Sequence, residues 1–177
     1  MKKILVIIPV LMIFLMGCSD SNNKNNEEDL DETQLIPMSY ASDTGELVKK
    51  VIENFLILEK YTEITIGDYL ESSSSNLSEM DEITKDFNQY YVEYQISIKA
   101  AKDWLVKYEP PTPACINYNY DVYNWLSANE SLSIWYLNGV NFVNDNNDYD
   151  ELSDAELNAF DKQYESHELC GYSRMSN

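Results

Sequence analysis

Residues 35–177 predict an all-α fold, an antiparallel up-down four-helix bundle with a short last helix. Three observations predict it. Apolar residues recur at spacings of three and four, the period of one helix face. Four helix-start signals punctuate the stretch, with short polar connectors that favour antiparallel neighbours. No segment alternates apolar and polar residues, as a half-buried strand does, over more than four positions.

Asp43 with Glu46 has capping-box spacing and opens the first helix, whose apolar face is Leu47, Val51, Phe55, Leu58, Tyr61 and Tyr69. The β-branched run Ile64-Thr65-Ile66 before Gly67 predicts fraying or a kink there. Asn76 with Glu79, just after the breaker Ser72-Ser73-Ser74-Ser75, opens the second helix. Its stripe is the clearest in the chain: Met80, Ile83, Phe87, Tyr90, Tyr94, Ile98, Ala101, Leu105 and Tyr108. Thr112-Pro113 sets a cap residue before a proline at the first helical position, and Val122, Trp125, Leu132, Tyr136, Val140 and Val143 follow as the third face. Ser153 with Glu156 is a full capping box, and Leu152 and Leu157 hold the staple positions around it. That last helix runs through Phe160 and Tyr164 toward Cys170, with Gly171 as its stop signal.

Upstream, two lysines (Lys2, Lys3) precede an apolar run from Ile4 to Met16, then Leu15-Met16-Gly17-Cys18. A run of thirteen residues is short of the roughly 20 needed to span a bilayer and suits the apolar core of an export signal. Leu15-Met16-Gly17-Cys18 resembles the lipobox of bacterial lipoproteins, with Met16 bulkier than the usual Ala or Ser. The resemblance implies a removed signal at 1–17, cleavage between Gly17 and Cys18, and a diacylglyceryl group on Cys18. The implied location is the extracytoplasmic face of the cell membrane, held there by the lipid anchor. From Cys18 to Gln34 the chain is polar and acidic and cannot bury enough surface to offset its ordering entropy, so it is expected to be a disordered tether with a reach of roughly 20–25 Å.

The sequence holds 12 basic and 31 acidic residues, for a formal charge of −19, and loss of Lys2 and Lys3 with the signal takes it to −21. Such a polyanion excludes nucleic acid as a partner, and an anionic lipid surface would repel it too. Past Cys18 two cysteines remain, Cys115 and Cys170, and an even pair in an exported domain predicts a disulfide. The alternatives are two buried free thiols or a metal site. Length opposes the pairing: Pro113–Val143 as helix spans roughly 45 Å, but Asp154–Cys170 only about 25 Å. The weak helix formers Ile116–Tyr120 are therefore expected to depart from regular helix.

Chemistry-bearing constellations are few. Asp145, Asn147 and Glu156, the last at the twelfth position counted from Asp145, invite a calcium-loop comparison. Tyr149 and Asp150 stand where a ligand and a turn glycine belong, and a polar connector explains the same residues. His167 is the only histidine, with no HExxH, CxxC, GxSxG or glycine-rich phosphate loop beside it. No catalytic residue, cofactor or firm metal site follows, and the chain is not expected to be an enzyme. Aromatics carry more information: Tyr91, Tyr120, Tyr123 and Trp135 lie off or at the edge of the apolar stripes and form a candidate interaction surface. The expectation is a non-catalytic accessory, exclusion or immunity-type lipoprotein that engages another envelope protein. The alternative is a binding module for a small molecule or calcium.

Overall fold

A computed structural model describes the backbone of residues 32–71, 77–140, 148–173 and 175, with side-chain surroundings from residues 33–62, 84–140, 148–173 and 175. Among the described residues the architecture is four helices and no strand: α1 (Glu32–Glu71), α2 (Leu77–Lys107), α3 (Pro113–Val140) and α4 (Tyr149–Gly171). No helix among these is long and apolar enough to cross a membrane.

Neighbours run antiparallel, as the paired side chains show. On α1 and α2, Tyr61 meets Tyr90 and Tyr40 meets Trp104, each with ring centroids 4.9 Å apart. On α3 and α4, Tyr118 meets His167 while Trp125 meets Phe160. Helices α1 and α3 each touch all the others, whereas α2 and α4 face each other across the bundle without contact. The shared core holds Val51, Leu58, Phe87, Tyr94, Tyr118, Val122 and Trp125, all essentially inaccessible. Each such aliphatic or aromatic side chain contributes about 1.5–3 kcal/mol when removed from water.

Three boundaries differ from the sequence expectation. Helix α1 begins at Glu32, eleven positions before Asp43, so Glu32–Gln34 belong to the bundle instead of the acidic tether, whose remainder lies outside the described residues. The early start places Pro37 inside a helix, where it has no N–H to give to the Thr33 carbonyl. That carbonyl accepts instead from the Met175 backbone N–H at 3.1 Å, so α1 is completed by the chain's own C-terminal segment. The backbone stays helical through Ile64-Thr65-Ile66-Gly67 to Glu71.

Helix α4 begins at Tyr149, not at Ser153. Its cap is Asp148, extended at φ −80° and ψ 122°, whose carboxylate accepts from Asp150 N at 2.9 Å. Tyr149 is held by the rings of Trp135 and Tyr136. Helix α3 is regular from Pro113 onward, including Ile116–Tyr120. Thr112 caps it, its hydroxyl accepting from Cys115 N at 3.2 Å, and buried Tyr118 outweighs the poor propensity of its neighbours. The lengths thus agree through an added turn on α4: 28 residues of α3 against 23 of α4. Gly171 is the last residue of α4, and the chain leaves it through Tyr172 in the right-handed region (φ −91°, ψ −3°).

The disulfide between Cys115 and Cys170 joins the start of α3 to the end of α4, with Cα atoms 4.5 Å apart. The Thr112 and Ser173 hydroxyls meet beside it at 2.7 Å. Asn119 donates to the Leu105 carbonyl and to the Tyr40 hydroxyl, which ties the end of α2 and the start of α1 to the same pole.

Candidate functional site

The four aromatics singled out by position do not form one patch. Tyr91 is 7% exposed and stacks among Phe87 and Tyr94 in the core, because the α2 stripe is broad enough to take in both Tyr90 and Tyr91. Trp135 is half-buried, its ring 4.8 Å from Tyr149 and 5.8 Å from Tyr136, and it packs α3 against the start of α4. Tyr120 and Tyr123 remain exposed, one turn apart on α3.

Those two belong to a face defined by charge. Helix α3 carries two charged side chains in its 28 residues, Asp121 and Glu130, and both are half-buried. Glu130 accepts from Lys102 of α2 at 2.7 Å, and the Lys102 ammonium also lies 5.6 Å from the Tyr123 ring centre. Every exposed α3 side chain is uncharged, among them Ile116, Asn117, Tyr120, Tyr123, Asn124 and Ile134. The exposed sides of α1, α2 and α4 all carry charged residues. An α3 face with two tyrosines and two isoleucines in the open and a single charged side chain, Glu130, paired with Lys102, is poor in charge, as interface cores are.

Behind this face a polar relay crosses the bundle. Asn129 of α3 is buried; its carbonyl accepts from the Tyr94 hydroxyl of α2 at 2.7 Å, and its amide donates to Glu156 Oε1 of α4 at 3.1 Å. Trp125 Nε1 donates to the same oxygen at 2.6 Å. Asn129 thereby links the two helices that do not touch. Its trace in the sequence is the gap it leaves in the α3 stripe between Trp125 and Leu132. The tyrosine-rich core explains why such links are needed, since each buried hydroxyl requires a partner. The Tyr118 hydroxyl has none among the described residues. Tyr118→Phe is accordingly expected to raise stability by about 1 kcal/mol in urea titration, and a loss would reveal a partner for that oxygen.

Burial pushes the Glu156 carboxyl above its ordinary value; the bonds from Trp125 and Asn129 pull it down, and Asp161 pushes it up. With the folded-state pKa raised, the unfolded chain releases this proton first. The contribution of Glu156 is complete below the unfolded pKa, about 4.3, and is lost as pH rises through the folded one. Glu156→Gln keeps an acceptor for both donors without the charge. Its melting temperature is expected to exceed the parent's at pH 7 and to converge with it toward pH 4. A gap that widens on acidification contradicts the burial argument.

The remaining candidates are placed as follows. Glu156, the twelfth position of the calcium comparison, points inward and is engaged by two protein donors, while Asp145 and Asn147 lie outside the described residues. Among the described residues no three His, Cys, Asp or Glu side chains converge as metal ligands. His167 packs against Tyr118 and hydrogen-bonds the Ala41 carbonyl, and burial lowers its pKa. A Cβ at position 45 would meet its Nε2 at 3.4 Å, an ordinary contact, so Gly45 lies beside the imidazole without being required there. An open groove of about 550 Å³ between α1 and α2 sets Trp104 among Asp43, Glu46, Glu53, Lys49 and Lys50, away from His167.

Compared with known proteins, the chain matches no family model, and no curated protein or solved structure is detectably similar to it.

Proposed function

We propose that this chain is a lipid-anchored extracytoplasmic protein without catalytic activity that binds another envelope protein through the charge-poor face of α3. The observation that carries this reading is the charge distribution. In a chain of formal charge −19, a helix of 28 residues carries only two charged side chains, Asp121 and Glu130, neither fully exposed and the second paired with Lys102. Solubility alone gives no reason to exclude charge there, whereas a surface desolvated on binding does, because an unpaired ion loses its hydration when covered. The Leu15-Met16-Gly17-Cys18 resemblance supports the location.

Site-specific photocrosslinking in the host membrane tests this reading. A photoreactive residue at Tyr123 or Ile134 is expected to yield one discrete protein adduct, and the same residue at Glu53 or Glu165 none. Tyr123→Asp with Ile134→Asp is expected to weaken that association at least about tenfold. Both side chains are exposed, so the melting temperature should hold. Equal labelling from all four positions, or none from α3, rejects the reading.

A further inference from the structure

We infer that the disulfide-bearing pole is a second membrane contact, which seats the bundle end-on against the lipid surface. The inference rests on the lipid-anchor reading and adds an orientation to it. All four helices bring an end to this pole: the Cys115–Cys170 bond, the Met175–Thr33 hydrogen bond and the Asn119 bridge to Leu105 and Tyr40 fix them there. Each end exposes large apolar side chains. Leu35 and Ile36 do so on α1, Val106 (84% exposed) on α2, Ile116 on α3, and Leu169 on α4 with Tyr172 (79% exposed) just beyond it.

Charge singles out the same pole. Residues 33–42, 104–120 and 166–173 contain one lysine, Lys107, and two glutamates, Glu109 and Glu168; the acidic stretch 20–32, net −5, borders them, and most of the −19 lies elsewhere in the chain. With this pole toward the lipid, most of the acidic side chains lie farther from an anionic surface than they would with the bundle on its side. Chain length agrees. Residues 19–31 separate Cys18 from the start of α1 at Glu32, which lies at this same pole. Thirteen residues reach roughly 20 Å, so an anchored Cys18 keeps this end of the bundle near the bilayer. Apolar and aromatic side chains gain by burial at the headgroup boundary, and a lysine such as Lys107 can extend toward the phosphates.

The test is hydroxyl-radical footprinting of the lipidated full-length protein in phosphatidylcholine–phosphatidylglycerol vesicles, read residue by residue by mass spectrometry. Ile36, Leu169 and Tyr172 are expected to be oxidised several-fold less than Ile96 and Ile134, which are also exposed in the bundle. The protection should persist as the lipid-to-protein ratio is raised. Protection that fades on dilution in lipid assigns the pole to a second copy of the chain and overturns the inference. Oxidation at the pole equal to that at Ile96 overturns it outright. Val106→Asp with Leu169→Asp, both at exposed positions, is expected to abolish the protection without lowering the melting temperature. The mass of the Cys18 peptide separates the two failures: without lipid on Cys18 both readings fall, and with lipid but no protection only the end-on contact does.

Discussion

Replacing Cys115 and Cys170 together by serine is expected to lower stability by about 3–4 kcal/mol and the melting temperature by roughly 10 °C. The bond spans a sequence separation of 55 residues, so its loss frees a long loop in the unfolded chain. In the folded state the damage should be local. The Thr112–Ser173, Met175–Thr33 and Asn119–Tyr40 hydrogen bonds are then among the ties left across the ends of α1, α3 and α4, and each is worth only about 1 kcal/mol. Amide exchange should accelerate over residues 112–118, 169–173 and 33–40, while the opposite pole, packed by Trp135 and Tyr149, stays protected. Uniform acceleration through all four helices would mean that the bond governs global stability and does not merely clamp one end. An unchanged denaturation midpoint would mean that the packed ends hold without it.

The second large effect is electrostatic. Asn129→Asp is nearly isosteric and keeps the acceptor for the Tyr94 hydroxyl, but it sets a carboxylate where the amide now donates to Glu156 Oε1 at 3.1 Å. Two buried carboxylates at that distance cannot both ionise. The variant is expected to lose about 3–5 kcal/mol at pH 7.5 and to recover most of it near pH 4.5, where the pair shares a proton. Asn129→Leu serves as the comparison: it strands the Tyr94 hydroxyl, removes a donor that holds the Glu156 carboxyl down, and costs about 2–4 kcal/mol with a smaller pH dependence in the same direction. Urea titrations at the two pH values separate them. A pH-independent loss for Asn129→Asp would mean that Glu156 does not face it.

Part of the site is legible in the primary structure. Helix α3 reads as nearly free of charge from its residues alone, and Tyr120 and Tyr123 fall off its apolar stripe and are exposed. Tyr91 could not be sorted from Tyr90 in the same way. Adjacent aromatics on one helix differ by about 100° of rotation, and the width of the groove that receives them decides which goes inside. Trp135 is half-covered because Tyr149 begins α4 there, a contact between separate helices that periodicity does not encode. The relay through Asn129 shows in the sequence as a polar residue on an apolar stripe, but its partners Tyr94 and Glu156 lie 35 and 27 positions away.

Helix number, order and antiparallel packing follow from apolar spacing and start signals, because burying one face of each helix admits few arrangements. That topology sets Cys115 and Cys170 at one pole, and the earlier start of α4 removes the length mismatch that opposed their pairing. Local signals placed the starts of α2 and α3 but not those of α1 and α4. Pro37 is tolerated within α1 because Met175 takes the Thr33 carbonyl, and α4 starts at Tyr149 because Asp148 caps it and Trp135 receives its ring. The tertiary structure decided these points because the partner that satisfies each backbone group or ring comes from another helix or from the far end of the chain.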